Sequence, residues 1–327
     1  MLIPYLILTP LLVLAVVLLF GFVGCTSFGA SSSAATGADY PSTIKKETSL
    51  VGYWRLGEPA STAIAPPPPG GIAKDEQGTH PGHYFHFQPA PGADTKRHSF
   101  SNPAVINLGQ KPGLLEKEAS ETCVEFNGGW VDMGFDAVLN PPQFTLEAWV
   151  FPQLDGDPLG NFYCLCETGA PATGKQKTEG FGLYAGPGDP TNPTSPYEWQ
   201  IWMGDGTNFT KVANSLPSPA AVKSQLTYVV LTYDGSNVLL FVYIPNTGQE
   251  LSNNSVAPLQ GKFTGYKPAT TGSLVVGAGR NLFPAVPGAA PKMLYAFHGK
   301  IQEVALYNKA LTVGDSLVAH EQAGGSF

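Results

Sequence analysis

The sequence predicts an all-β domain of two antiparallel sheets packed face to face, preceded by one N-terminal transmembrane helix. Two observations favour the sheets. From about residue 49, short runs rich in β-branched and aromatic residues alternate with clusters of Gly, Pro, Asn and Asp. Helical periodicity is almost absent until the last dozen residues. The helix is predicted from residues 1–24, which carry no charged side chain.

The first 24 residues are long enough to cross a bilayer. A 24-residue helix is about 36 Å long, against a hydrocarbon layer of about 30 Å. We expect an uncleaved anchor centred on Leu11, Leu12, Val13, Leu14, Val16, Val17, Leu18, Leu19 and Phe20. Two alternatives stay open: a lipoprotein signal acylated at Cys25, and a cleaved secretory signal, which the missing positive n-region disfavours. Each alternative attaches or exports the rest of the chain, to the periplasmic or extracellular side of the membrane.

The remaining chain divides into three parts. Residues 25–48 are small and polar and predict a flexible tether. Residues 49–320 form the β domain, and 321–327 a tail. We expect strands at 50–56, 122–127, 144–151, 162–167, 180–185, 197–203, 226–233, 238–244, 273–278 and 299–308.

The patterns within two of these strands predict which faces are covered. In the 144–150 run the apolar residues alternate, so Thr145 and Glu147 are expected to point outward. The 238–244 run is apolar throughout, so both of its faces should be covered, one by the second sheet and one by a loop or partner. Residues 233–237 contain Asp234 and Gly235 and predict a hairpin turn.

The order of these runs resembles a known family. The phrases at 50–56, 125–129, 144–150, 227–235, 275–277 and 297–311 follow the LamG-like jelly-roll family, of the concanavalin A-like lectin/glucanase fold, over residues 49–320. The closing Tyr307-Asn308-Lys309-Ala310-Leu311 is the most specific of them. The resemblance implies a jelly-roll sandwich whose first and last strands are adjacent. Relative to the family, Pro-rich insertions are expected near 59–115 and 186–196.

Charge and composition exclude several functions. A net charge of -7 and a pI of about 5.3 argue against nucleic-acid binding. No strand carries the closely spaced acidic residues that a retaining glycosidase needs, and Glu147 and Glu303 look isolated. We therefore expect no catalytic residues and no enzyme activity. A glycoside hydrolase stays as the weaker alternative.

Several residues are candidates for binding. The best candidate aromatic patch for a sugar ring consists of Tyr197, Trp199, Trp202 and Asp205, although Trp199 and Trp202 would point oppositely on a regular strand. No cofactor is required, but the resemblance makes Asp75 a candidate calcium ligand. After export, Cys123 is able to bridge Cys164 or Cys166; buried free thiols are the alternative.

Two functions remain, separated by a narrow margin. The charged fraction of only 13% and the Pro-rich insertions favour a surface that docks onto integral membrane protein subunits. The predicted function is thus a membrane-tethered, non-enzymatic structural subunit that stabilises a membrane complex. The alternative is a cell-surface, lectin-like module that binds glycans through its aromatic residues.

Overall fold

The computed structural model describes residues 39–60, 70–86, 105–115, 118, 121–153, 162–170, 177–189, 191–192, 195–214, 224–245, 259–280 and 293–325. The predicted anchor at 1–24, Cys25, residues 26–38 of the predicted tether and the prolines at 66–69 lie outside these ranges. Within them, no helix combines the length and the apolar character needed to span a membrane.

The described residues are mainly strands. The strands are β1 (Leu50–Trp54), β2 (Gly70–Ala73), β3 (Gly82–His86), β4 (Val105–Gln110), β5 (Cys123–Asn127), β6 (Gly129–Asp132), β7 (Phe144–Pro152), β8 (Tyr163–Glu167), β9 (Phe181–Pro187), β10 (Tyr197–Gly204), β11 (Phe209–Asn214), β12 (Thr227–Tyr233), β13 (Asn237–Tyr243), β14 (Leu259–Lys262), β15 (Val275–Val276), β16 (Gly279–Arg280), β17 (Met293–Leu294) and β18 (His298–Tyr307). The helices are α1 (Tyr40–Ile44) and α2 (Val318–Gly324), with a 3₁₀ turn at Ala137–Leu139 and a π-helical turn at Val313–Leu317.

The strands form two antiparallel eight-stranded sheets and a small hairpin. Sheet A has the order β14-β13-β12-β7-β18-β5-β4, with β1 also paired to β18. Sheet B has the order β11-β10-β9-β8-β15-β6-β3-β2, and β16 pairs with β17. Each strand predicted from the sequence overlaps an observed one, so the predicted all-β sandwich is confirmed.

The first and last strands are adjacent, as the family resemblance implies. Tyr53 pairs with Ala305 and Trp54 with Val304 in an antiparallel register. This pairing joins the two ends of the domain within sheet A.

The main core lies between the two sheets and follows the predicted alternation of β7. Phe144, Leu146, Ala148 and Val150 all belong to this inter-sheet cluster. Burying one large apolar side chain of this kind contributes about 1.5–3 kcal/mol to folding. The alternation therefore gives β7 a strong register preference.

A second apolar cluster covers the outer face of sheet A. It joins Trp149 and Tyr228 of the sheet to Tyr40 and Ile44 of α1 and to Leu317 before α2. We call this covering of sheet A by α1, α2 and the turn before α2 the terminal clasp. Phe241 and Tyr243 of β13 also lie in this cluster, so the prediction that both faces of that strand are covered is confirmed.

The terminal clasp corrects two boundaries. The predicted tether 25–48 is wrong from residue 39 onward, because Asp39 caps α1 through Ser42 N–H at 2.8 Å and Tyr40 is fully buried. The ring of Tyr40 packs edge-on against Trp149, with centroids 6.2 Å apart. The predicted tail at 321–327 is wrong at its start, because α2 continues to Gly324 and buries Glu321.

Parts of the predicted insertions belong to the sheets. The 59–115 stretch contains β2, β3 and β4, which extend both sheets. The 186–196 stretch begins with the end of β9 and closes through a hydrogen bond from Gly188 N–H to the Pro196 carbonyl at 3.0 Å. The buried apolar side chains of α1 and α2 belong to the cluster on the outer face of sheet A and not to the inter-sheet core.

Candidate functional site

The predicted aromatic patch on β10 is split between the two faces of sheet B. Tyr197 and Trp199 point into the inter-sheet core and are 5% and 0% exposed. Only Trp202 points to the outer face. Asp205 is exposed in the following turn, where its carboxylate accepts the N–H groups of Thr207 and Asn208 at 2.7 Å. The patch is therefore wrong as a single surface, because side chains three apart on a strand face opposite ways.

Trp202 instead lines a pocket on the outer face of sheet B. The pocket holds about 190 Å³ and opens to solvent. Its walls come from β9, β10, β11, the residue before β8, a residue between β8 and β9, and the residue after β17. The lining side chains are Phe162, Lys177, Tyr184, Trp202, Phe209 and Tyr295.

The rings of the pocket hold one another at fixed angles. Trp202 stacks on Phe209 with centroids 6.4 Å apart and planes at 16°. Phe162 stands nearly perpendicular to both Trp202 and Tyr295, at 6.3 and 6.4 Å. Such edge-to-face and offset pairs are favourable geometries, so the walls are preorganised for a ligand.

Glycines on β9 make room for these rings. A Cβ at Gly182 would lie 2.5 Å from the ring of Tyr184, and one at Gly186 would lie 2.5 Å from the ring of Phe162. Each distance is far below van der Waals contact, so both rings need glycine beneath them. Tyr295 adopts a φ of 54°, a left-handed conformation that costs roughly 1–2 kcal/mol for a residue with a side chain. Strain of this kind concentrates at functional sites.

A buried charge cluster forms the base of the pocket. Glu167 is fully buried and accepts hydrogen bonds from Lys177 Nζ and Tyr184 Oη. Its other oxygen accepts the Arg280 backbone N–H at 2.6 Å and lies 3.5 Å from Arg280 Nη1. The Lys177 ammonium also lies over the rings of Tyr184 and Phe209, 5.6 and 5.3 Å from their centroids.

A polar row on β10 fixes the orientation of Trp202. Its Nε1 donates to Gln200 Oε1 at 3.1 Å, and Gln200 Nε2 donates to Glu198 Oε1 at 3.2 Å and to the Pro187 carbonyl at 2.9 Å. Lys211 Nζ pairs with Glu198 at 3.0 Å. The indole is therefore held at both its ring face and its N–H.

The two carboxylates considered for catalysis lie elsewhere, on the outer face of sheet A. The prediction that Glu147 and Thr145 point outward from the inter-sheet core is right, but this outer face is covered rather than open to solvent. Both are fully buried, and so is Glu303. The reason is the terminal clasp, which the alternation within one strand does not reveal.

Glu147 is satisfied by neighbours rather than open to a substrate. It accepts hydrogen bonds from Tyr228 Oη, from Tyr307 Oη at 2.5 Å and from His320 Nδ1 at 3.1 Å. Burial alone would raise the pKa of Glu147, but His320 and the two hydroxyls hold this pKa below its usual value. Burial would lower the pKa of His320, yet Glu147 and Glu47 raise it. The arrangement is a buried His–Glu ion pair that fastens α2 to β7.

Glu303 lies at a bulge of β18, where the register with β7 shifts between Gln302 and Ala305. It accepts hydrogen bonds from Tyr53 Oη and from Arg55 Nε, the latter at 3.1 Å. Burial outweighs the attraction of Arg55 and raises the pKa of Glu303 to about 7. This carboxyl also serves the contact between β1 and β18.

Asp75 does not fit a calcium site. One oxygen accepts the N–H groups of Tyr53 and Gln77 at 2.9 and 3.0 Å, and the other accepts those of Thr79 and His80 at 3.0 and 2.9 Å. Burial would raise its pKa, but these donors lower it. Both oxygens are occupied, and in the described ranges no three His, Cys, Asp or Glu side chains converge on a metal position. Asp75 instead orders the loop between β2 and β3.

The three described cysteines are buried free thiols. Cys123 is on sheet A, whereas Cys164 and Cys166 are on sheet B. A bulge in β8 between Cys164 and Cys166 places Cys166 in the inter-sheet core and Cys164 on the outer face beside Gly279. Burial raises the pKa of Cys123 to about 11, so this thiol stays protonated at neutral pH.

Sequence reasoning identified Trp202 but missed the rest of the pocket lining, including Lys177, and the neighbouring Glu167. These residues come from separate segments that only strand order brings together. One usable signal was the glycine alternation in Gly180-Phe181-Gly182-Leu183-Tyr184-Ala185-Gly186, which indicates a strand face that leaves room for rings from elsewhere.

Solved structures similar to this chain include carbohydrate-active proteins. Domain 4 of AbnA, a GH43 extracellular arabinanase from Geobacillus stearothermophilus solved with arabinotriose, is 15% identical, with a TM-score of 0.44, covering 84% of this chain and 98% of that chain. Trypanosoma rangeli sialidase, solved with 2,3-difluorosialic acid, is 17% identical, with a TM-score of 0.45 over 86% of this chain; the match spans 34% of the sialidase. The LG4-5 domains of the mouse laminin α1 chain are 13% identical, with a TM-score of 0.33, over 55% of this chain and 40% of that chain.

Comparison with curated proteins finds no match to this sequence. The family model for concanavalin A-like lectin/glucanases matches residues 127–315, more than half of the chain. The matched range includes β7 to β13, which supply most of the pocket, and β18, which closes sheet A. The chain belongs to the concanavalin A-like lectin/glucanases superfamily.

Proposed function

We propose that this chain is a non-catalytic carbohydrate-binding module, and that its ligand occupies the aromatic pocket on the outer face of sheet B. The observation that supports this proposal is the pocket itself. Aromatic rings at fixed angles surround Trp202, and hydrogen-bonding groups lie at the base of the pocket and beside the indole. Ligand pockets typically combine apolar walls with a few placed polar groups. This combination suits a sugar, whose ring presents an apolar C–H face and a polar edge.

The pocket supports binding rather than hydrolysis. Hydrolysis of a glycosidic bond needs two carboxyl groups that flank the bond. The described lining of the pocket contains no Asp or Glu, and the neighbouring Glu167 is covered by Lys177, Tyr184 and Arg280. Glu147 and Glu303 lie on the other sheet under the terminal clasp.

A substitution at Trp202 tests the proposal. The full-length chain, solubilised in detergent, would be applied to an immobilised panel of neutral and acidic polysaccharides. Because an anchoring Trp contributes about 2 kcal/mol or more to binding, Trp202→Ala should weaken retention roughly thirtyfold or more. Trp130→Ala is the matched control, since Trp130 is half-buried on the same sheet face and stacks on Phe85 outside the pocket. Absence of retention on the whole panel, or equal retention by Trp202→Ala, would contradict the proposal.

Docking onto a membrane complex is the second candidate. Its support in the described residues is three exposed apolar side chains: Ile72, Phe135 and Val138 are 58%, 47% and 52% exposed. Ile72 lies on β2, the last strand of sheet B in the described part of the chain, and exposed apolar side chains on an edge strand favour a protein partner. On this hypothesis residues 1–24 anchor the domain outside the cytoplasm. Co-purification of the solubilised chain with integral membrane subunits, without retention on glycans, would favour docking over sugar binding.

A further inference from the structure

The pocket on sheet B is lined by a single charged side chain among the described residues. That residue is Lys177, which is 3% exposed, and the other five lining residues are aromatic. A charge so nearly excluded from water interacts strongly with a ligand group placed beside it, because solvent screens it little. The chemistry of the pocket therefore depends on whether Lys177 is fully neutralised.

The cluster around Lys177 carries an excess of positive charge. Glu167 brings one negative charge and is contacted by two cations, Lys177 and Arg280. Arg280 also donates through Nη2 to the Ser273 carbonyl at 2.7 Å, which is a neutral acceptor. One carboxylate against two cations leaves a net charge of about +1 next to the pocket.

No other described group near the pocket cancels this charge. Burial raises the pKa of Tyr184 well above its usual value and also raises that of Tyr295, so both hydroxyls stay neutral. Burial likewise keeps Cys164 protonated by raising its pKa. Glu198, on the neighbouring row of β10, is already paired with Lys211.

The Lys177 ammonium retains donor capacity towards a ligand. An ammonium has three N–H donors, and within the described part of the chain Glu167 and Tyr184 account for two. An apolar or cationic occupant would leave the remaining N–H donor without an acceptor, which is costly. An acceptor that carries negative charge would satisfy both the remaining donor and the excess charge.

We propose that the pocket selects acidic glycans, with the sugar ring against Trp202 and the anionic group, a carboxylate or a sulfate, on Lys177. This inference rests on the proposed function and names its ligand class. A preference for acidic glycans is not what the net charge of -7 predicts, because that charge by itself would repel an anionic polymer. Because Lys is a point charge rather than a planar fork, the geometry suits a carboxylate and a sulfate alike.

Matched ligands test this selectivity. The full-length chain in detergent would be titrated with oligogalacturonate, with the same oligomer after its carboxyls are reduced to alcohols, and with a sulfated galactan beside its desulfated form. The acidic member of at least one pair should bind tenfold or more tightly than its neutral partner. The pair that shows the difference identifies the anionic group.

Two variants assign the effect to Lys177. Lys177→Met should abolish the preference for the acidic member, and Lys177→Arg should keep most of it. Glu167 retains Tyr184 and Arg280 as partners in the Met variant, which favours a preserved fold. If Lys177→Met fails to fold, the matched ligand pairs still decide with the wild type and Lys177→Arg, because equal binding of both members of every pair overturns the selectivity.

The outcomes separate this inference from the proposed function. Equal binding of acidic and neutral members, both sensitive to Trp202→Ala, would overturn the acidic selectivity and leave sugar binding intact. A preference that persists unchanged in Lys177→Met would also overturn it. Absence of binding to every glycan would remove the proposed function, and the selectivity with it.

Discussion

Replacing His320 should release the terminal clasp. The imidazole is 1% exposed, donates to Glu147 at 3.1 Å and lies 3.7 Å from Glu47. In His320→Leu, Glu147 keeps only the hydroxyls of Tyr228 and Tyr307 as partners for a buried charge. Removing one partner of a buried ion pair typically costs about 3–5 kcal/mol. For a domain of this size, 1 kcal/mol corresponds to about 2–3 °C, so the melting temperature should fall by roughly 6–15 °C.

Thermal and urea unfolding followed by circular dichroism measures this loss. His83→Leu is the matched control, because His83 is exposed on β3 and should change stability by no more than about 0.5 kcal/mol. Adding Glu147→Gln to His320→Leu removes the stranded charge, so the double variant should recover part of the loss. The coupling energy should be roughly 0.5–3 kcal/mol. Equal effects of the His320 and His83 substitutions, or strict additivity with Glu147→Gln, would refute this account of the clasp.

The pair of Glu147 and His320 also predicts how the stability of the fold depends on pH. The pKa of His320 is raised above 6.5, so its contribution is complete below pH 6.5 and is lost as pH rises through the raised value. The pKa of Glu147 is lowered below 4.5, so its contribution is present above pH 4.5 and is lost as pH falls through the lowered value. The stability difference between wild type and His320→Leu should therefore be largest between about pH 4.5 and 6.5.

Two further substitutions test the other buried carboxylates. Burial raises the pKa of Glu303 from 4.5 to about 7, so the wild type should lose roughly 3 kcal/mol of stability as pH rises across that range. Glu303→Gln should remove this loss. An unchanged dependence of stability on pH in the variant would contradict the prediction. Asp75→Asn should cost roughly 2–3 kcal/mol because the amide cannot accept all four N–H donors, while EDTA should leave the wild-type melting temperature unchanged. A melting temperature that EDTA lowers and calcium restores would instead establish a metal site.

The β-sandwich could be predicted because the residue pattern within each long strand indicates which of its faces are buried. The alternation of β7 and the unbroken apolar run of β13 each report the burial of their own faces. Strands β2, β3 and β4 escaped prediction because they lie in a Gly- and Pro-rich stretch. The terminal clasp escaped for a related reason: α1 has only five residues, too few for a helical period to show.

The site was less predictable because bulges and strand order control it. The rule of opposite faces correctly separates Trp199 from Trp202. The same rule fails at Cys164 and Cys166, where a bulge in β8 shifts the register by one residue. The meeting of Lys177 with Tyr295, far apart in sequence, depends on which strands are neighbours, and no local pattern carries that information.

The two outer faces of the sandwich use buried charge differently. On sheet A, the pair of Glu147 and His320 joins a strand to a terminal helix, so its cost is offset by the apolar contacts that the helix brings. On sheet B, Glu167 holds the β16–β17 hairpin through the backbone N–H of Arg280, whereas its other partner, Lys177, lines an open pocket. Replacing a buried ion pair by apolar residues is often neutral or stabilising by about 1–4 kcal/mol, so stability alone is a weak reason for a charge in that place. The proposed anionic ligand, by contacting the Lys177 ammonium, would explain why a charge is present there.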